Sequence, residues 1–173
     1  MTDRVDPQPL RFFELLGTLS DRQVEFVVIG GFAVILHGAE RFTKDVDIVP
    51  EPSAENLARL WDALAELEAS PAELPDFRPE EIPVPFTLEG LIEGGGNWML
   101  HTRLGRIDVM QWVSGIESYE DLRTNSVATN VSQIGATVMF AGLDDLIAMK
   151  QAAGRPQDLI DITALRMAHG LEE

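Results

Sequence analysis

Cysteine is absent from the chain, which removes disulfide frameworks, thiol nucleophiles and zinc–thiolate centres from consideration. Basic residues are scarce: 13 Lys and Arg stand against 29 Asp and Glu, for a formal charge of −16. A protein that holds nucleic acid non-specifically normally carries a basic stripe, and the sequence shows none. Long apolar runs are missing too, since no window approaches the roughly 18 apolar residues of a membrane span. The opening Met1-Thr2-Asp3-Arg4-Val5-Asp6-Pro7 lacks the basic-then-apolar pattern of a signal segment, and the expected compartment is the cytoplasm. Neither Gly-x-Gly-x-x-Gly after a strand nor a Gly-Lys-Ser/Thr loop occurs, so dinucleotide-fold and P-loop nucleotide sites are excluded. No internal repeat or low-complexity tract is present.

What remains is ordinary globular material, 45% apolar and 24% charged, in a length that suits one domain. The expected domain spans 1–173, with a sheet-bearing core over about 24–140 and a helical part over about 142–170. Leu10, Phe12, Phe13, Leu15, Leu16 and Leu19 fall at helical spacing and predict a helix over Pro9–Leu19. Val24–Ile29 reads as a buried strand broken by Gly30-Gly31, with a short helix over Phe32–Gly38 behind it. Asp45–Val49 is the next strand, and Ser53 caps a helix running to about Glu68. The proline- and acid-rich stretch from Ser70 to Pro85 is expected to be a loop or flap. Asn97–Thr102 and Arg106–Met110 read as strands joined at Leu104-Gly105. A helical turn at Tyr119–Arg123 and short strands at Val127–Val131 and Thr137–Phe140 follow. Helices are expected over Leu143–Ala153 and from Pro156 to about His169, the proline standing in a first turn.

Chemistry concentrates around Asp45-Val46-Asp47. Side chains alternate along a strand, so the two carboxylates project the same way while Val46 and Ile48 serve the packed side. Like charges held side by side call for a cation, and a hard divalent metal such as Mg²⁺ is its natural form. Upstream, Gly30-Gly31 ends a strand and opens a helix, an arrangement that lets a phosphate approach free N–H groups. Alone, such a pair is more often a tight turn. His37, His101 and His169 have no spacing that suggests a zinc site. The tryptophans Trp61, Trp98 and Trp112 are expected in the core or a cleft wall, with Trp98 or Trp112 near enough to Asp108 to stack on a base.

Gly30-Gly31, thirteen intervening residues and Asp45-Val46-Asp47 together resemble the signature of the polymerase-β-like nucleotidyltransferase superfamily. That superfamily uses a third carboxylate on a neighbouring strand, and Asp108 within Gly105-Arg106-Ile107-Asp108-Val109-Met110 fits the slot. The tail from Leu143 through Lys150, Arg155 and Asp158 to Asp161 resembles the C-terminal motif of AbiEii-type toxin nucleotidyltransferases, with Gln157 standing where those proteins carry lysine. Arg41 and Thr43 match their Arg-x-Thr before Asp-x-Asp.

The resemblance implies an α+β polymerase-β-like fold, a small mixed sheet flanked by helices with C-terminal helices beside it. It implies Asp45, Asp47, Asp108 and Asp158 as catalytic residues, the first three also as ligands of two Mg²⁺ ions. Gly30, Gly31, Arg41, Thr43 and Lys150 become the nucleotide-binding set. The function implied is Mg²⁺-dependent transfer of a nucleotide from an NTP to an acceptor, which is a tRNA, a protein or a small molecule, with a toxin or antitoxin partner and no membrane. Asp108 serves either as a ligand or as general base. The alternative is a non-catalytic nucleotide-binding or antitoxin-like partner that keeps the fold. Arg155 and Asp158, three apart on a helix, can also simply pair with each other.

Overall fold

The computed structural model describes residues 9–72, 86–94 and 96–171. Its elements run α1 (Phe12–Asp21), β1 (Phe26–Ile29), α2 (Gly30–Leu36), β2 (Asp45–Pro50), α3 (Ala54–Glu66), β3 (Ser70–Pro71), α4 (Leu88–Ile92), β4 (Asn97–Thr102), β5 (Gly105–Met110), α5 (Tyr119–Asn125), β6 (Val127–Val131), β7 (Ala136–Phe140), α6 (Leu143–Ala153) and α7 (Pro156–Ala168). The seven strands form one mixed sheet in the order β3-β4-β5-β2-β1-β7-β6. β2 runs parallel to β5 and β1 parallel to β7, and the other neighbours are antiparallel.

Alternation sorts the central strands into two faces. Val46 and Ile48 of β2 and Ile107 and Val109 of β5 are fully buried, in one apolar cluster with Leu15, Leu16 and Leu19 of α1 and Leu57, Leu60 and Leu64 of α3. Each fully buried leucine contributes about 2 kcal/mol, so this packed face is what fixes the register. A slip of one residue would drive Asp45 and Asp47 into that cluster. The opposite face therefore carries the aspartates.

Local chemistry sets the ends. Ser53 Oγ accepts from Asn56 N at 3.3 Å and caps α3 as expected. Asn56 itself is fully buried, donating to the carbonyls of Glu25 and Glu51 at 2.8 Å each and accepting from Glu25 N at 2.7 Å. It ties the start of α3 to the ends of β1 and β2, with no polar atom left unpaired. Gly154 closes α6 in the left-handed conformation at φ 61°, and Pro156 opens α7 where its missing N–H costs nothing.

Three sequence expectations change. Ser70-Pro71, expected in a loop, pairs as β3 with His101 and Leu100 on the sheet edge, and residues 73–85 of that loop lie outside the described residues. Gly30 and Gly31 belong to the first turn of α2 rather than preceding it. Trp98 pairs with Val109, on the face opposite Asp108, and is buried at 6% exposure. It cannot stack on a base beside the carboxylates.

Candidate active site

Three central strands place the carboxylates. Asp47 of β2 is the register partner of Ile29 in β1 on one side and of Asp108 in β5 on the other. Asp45 pairs with Arg106 in the same ladder. Because residues two apart share a face, Asp45, Asp47, Arg106 and Asp108 stand together on the side of the sheet away from α3's leucines.

The glycine pair meets this cluster sterically. A Cβ on Gly30 would lie 2.1 Å from Asp47 Oδ2, and one on Gly31 would lie 2.8 Å from both Cβ and Oγ1 of Thr43. Gly30 also has φ 65°, which disfavours any L side chain. The close approach expected for a phosphate is thus made by Asp47 itself. Gly30→Ala is expected to cost at least 2 kcal/mol in urea unfolding. Gly135→Ala, at a comparable φ of 62° but in open space, is expected to cost only about 1 kcal/mol.

Electrostatics follow from the crowding. Burial first, then the charges of Asp45 and Asp108, push the Asp47 carboxyl up from 3.8 to about 7. Burial also raises Asp108, although the hydrogen bonds from Arg106 pull against it. Arg106 spans the gap: its Nε donates to Asp108 Oδ1 at 3.1 Å, its Nη2 to Oδ2 at 3.2 Å, and Nε lies 3.9 Å from Asp45 Oδ2. As they stand, no three acidic or imidazole groups among the described residues are close enough together to hold a cation. The guanidinium neutralises the pair in its place. The donor set is nonetheless all carboxylate oxygen, the chemistry that Mg²⁺ prefers.

A second cluster of charge sits at the α6–α7 junction. Lys150 Nζ, with its side chain 7% exposed, lies 2.6 Å from Asp161 Oδ2 and 3.3 Å from Asp158 Oδ1. Asp161 also accepts from Arg41 Nη1 and from Gln157 Nε2. Asp158 accepts from Arg155 through its backbone N at 3.1 Å and its Nε at 2.7 Å. Burial opposes ionisation of both aspartates, but these hydrogen bonds outweigh it and hold each carboxyl below its ordinary value. The charges of Lys150 and Arg106 lower the Asp47 pKa against burial and the neighbouring carboxylates, so the lysine lies within electrostatic reach of the first cluster.

The structure thus gathers Asp45, Asp47 and Asp108, with Gly30, Gly31 and Thr43 packed against them. It groups Lys150 and Arg41 with Asp161 beside them. Asp158, expected among the catalytic carboxylates, has both of its oxygens engaged by Lys150 and Arg155 and is 2% exposed. Two residues escaped sequence reasoning. Arg106 lies two before Asp108 on a strand, and period-two counting alone puts both on one face. Asp161 lies four after Gln157 and three after Asp158 on α7, the spacing of one helix face.

Residues 10–83 match the family described as nucleotidyltransferase of unknown function (DUF6036). No curated protein matches the sequence. Among solved structures, the chain is similar to the lincosamide antibiotic adenylyltransferase LnuA in its lincomycin-bound crystal form, at 15% identity and TM-score 0.58, over 90% of this chain and 94% of that one. It is also similar to the antibiotic-resistance factor ANT(2'')-Ia. The solution structure of that protein aligns at 13% identity and TM-score 0.54, over 91% of this chain and 81% of that one. Its crystal structure with adenylyl-2''-tobramycin aligns at 13% identity and TM-score 0.52, over 90% and 86%. The chain has the mixed α+β fold of these nucleotidyltransferases.

Proposed function

We propose that this chain is a Mg²⁺-dependent nucleotidyltransferase that passes a nucleotide from an NTP to a hydroxyl-bearing acceptor. The observation that carries the reading is the register match of Asp47 with Asp108, with Asp45 two residues away on the same face. Asp45 and Asp47 would hold the ion that accompanies the triphosphate, and Asp108 would complete a second position with them. Mg²⁺ there supplies the positive charge that offsets the oxygens of the transferring phosphoryl group.

The chain's own residues do the rest. The acceptor oxygen bonds to the α-phosphorus as the bond from that phosphorus to the β-phosphate bridging oxygen breaks, and pyrophosphate leaves. Asp108 receives the acceptor's proton, a role that suits a carboxyl whose pKa is raised by burial. For that to happen Arg106 must release Asp108, and the guanidinium is then free to pair with Asp45 or with substrate. Arg41 Nη1 holds Asp161, while its buried Nε has no hydrogen-bond partner among the described residues. Asp158 and Asp161 are positioning residues that fix Lys150 toward Asp47.

The acceptor is open to RNA, protein or a small molecule, and the tail that resembles AbiEii-type toxins supports a toxin-like role. Induced expression tests that role: growth arrest relieved by Asp47→Asn supports it, and unimpaired growth contradicts it. The enzymatic reading is tested by thermal unfolding with Mg²⁺ and each of the four NTPs. A ligand at a hundredfold excess over its Kd stabilises by about 2.7 kcal/mol, a shift of several degrees. The shift is expected with at least one NTP and is expected to vanish in the Asp45→Asn, Asp47→Asn double variant. No shift with any NTP contradicts the proposal. A shift without transfer to any acceptor pool favours the non-catalytic alternative.

A further inference from the structure

We infer that the pocket on the β5 side of the aspartates takes a small acceptor that carries a phosphate ester and a flat ring. This inference rests on the nucleotidyl-transfer reading and names the substrate class of that same site. The pocket has a volume of about 470 Å³ and is walled by Phe42, Thr43, Lys44, His101, Thr102 and Arg106, together with Pro9, Leu10 and Gly105 at its far end. No carboxylate lines it among the described residues. In a chain with 13 basic and 29 acidic residues, a cavity whose described lining has a lysine, an arginine and a histidine but no acid stands apart from the overall charge. Lys44 favours an anion there, and so does Arg106 once its bonds to Asp108 are released.

Its position ties it to the chemistry. His101 and Arg106 are register partners in the β4–β5 ladder and share the aspartate face. Lys44 directly precedes Asp45 in the chain. Arg106 forms the inner wall and touches Asp108 at 3.1 Å, so a ligand seated against that guanidinium lies beside the residue proposed to take the acceptor's proton. The Lys150 cluster lies elsewhere, carried by α6 and α7. Acceptor and triphosphate would then meet different cations.

Phe42 supplies the second recognition element. It is 81% exposed, and Lys44 Nζ stands 6.0 Å from its ring centroid. A phenyl ring left in water beside a cation, at the rim of a basic cavity, is a platform on which a planar ring stacks while its phosphate reaches Lys44 and His101.

The test uses the intact protein without Mg²⁺, and adenosine 5′-monophosphate as the probe, followed by ligand-observed NMR. Adenosine without phosphate, ribose 5-phosphate without the ring and spermidine serve as controls. Expected are binding of the monophosphate, at least tenfold weaker binding of adenosine and of ribose 5-phosphate, and no competition from spermidine. Lys44→Glu and Phe42→Ser, both at exposed positions, are each expected to weaken the monophosphate at least tenfold. Its binding is expected to persist beside a non-hydrolysable NTP and Mg²⁺, and with hydrolysable NTP labelled on the α-phosphate it is expected to acquire label. Displacement by the NTP analogue, or indifference to Lys44→Glu, overturns the inference. Tighter binding of spermidine, or binding of an oligonucleotide but not of the monophosphate, overturns it as well. The thermal shift with Mg²⁺ and NTP separates the two levels. If it is present while the monophosphate fails to bind, only the acceptor assignment falls; if it is absent, the nucleotidyl-transfer reading falls.

Discussion

Asp47→Asn is expected to stabilise the folded protein at pH 8 while abolishing nucleotidyl transfer. Burial and the neighbouring Asp45 and Asp108 raise the Asp47 carboxyl from 3.8 to about 7. A folded-state pKa above the unfolded value means that the folded protein binds the proton more tightly. The stability contributed by this group is fully present below pH 3.8 and is lost as pH rises through about 7. At pH 8 the ionised carboxylate costs on the order of 2–4 kcal/mol, since one pH unit of difference is worth about 1.4 kcal/mol. Asparagine keeps the shape and removes the charge. Urea unfolding of wild type and variant at pH 5 and pH 8 checks this: the variant's advantage is expected at pH 8 and is expected to be small at pH 5. Added Mg²⁺ is expected to narrow the gap at pH 8 by stabilising only the wild type. An Asp47→Asn variant less stable than wild type at pH 8 would contradict the account of this site as crowded negative charge awaiting a cation.

Lys150→Met is expected to destabilise the protein by about 3–5 kcal/mol, the usual cost of removing one partner from a buried ion pair. Its ammonium, with the side chain 7% exposed, is shared by Asp158 and Asp161, which are 2% exposed each. Without it two buried carboxylates keep only Arg155 on one side and Arg41 and Gln157 on the other. The wild-type sign is opposite to that of Asp47. Both carboxyls are held below their ordinary value, so their stabilisation is present at neutral pH and fades as pH falls below about 4. The deficit of the variant, read by urea unfolding, is therefore expected to shrink as pH falls below about 4. A cost under 1 kcal/mol at pH 7 would show that the cluster is not the strut it is taken for. Replacing Lys150 with arginine separates structure from chemistry: the pair is kept in part, and loss of NTP-dependent stabilisation in that variant reports on the lysine's approach to the triphosphate.

The fold was legible wherever periodicity and punctuation were strong. Leu143–Ala153 and Val127–Val131 coincide with α6 and β6 as formed, because glycine and proline bracket the one and alternation marks the other. The mixed sheet with flanking helices follows from the resemblance and is the architecture found. What was not legible depends on contacts across the chain. β3 is only two residues long and exists by pairing with β4, so no local pattern announces it. Trp98 lies in the core, one of the two places expected for it, and pairing with Val109 turns it to the packed face, away from any base beside Asp108. The short five-residue α4 likewise owes its place to packing beside α3.

The site divides in the same way. Asp45 and Asp47 sharing a face could be read from the alternation of one strand, whereas the pairing of Asp47 with Asp108 required the register of two parallel strands. Gly30 shows how a motif can be located correctly and explained differently. Its missing side chain makes room for Asp47, 17 positions downstream in sequence and paired in the sheet with Ile29, the residue before Gly30. Arg106 has no motif to mark it, yet it supplies the only positive charge paired with both Asp45 and Asp108 among the described residues.

The central claim is that Asp45, Asp47 and Asp108 form one metal site serving an NTP. Counting bound Mn²⁺ by electron paramagnetic resonance, in the presence of a non-hydrolysable NTP, addresses it most directly. The predicted result is two ions per wild-type chain with its NTP, one in Asp108→Asn and none held by the Asp45→Asn, Asp47→Asn double variant beyond what the free nucleotide binds. Equal Mn²⁺ binding by the wild type and the double variant would contradict the account.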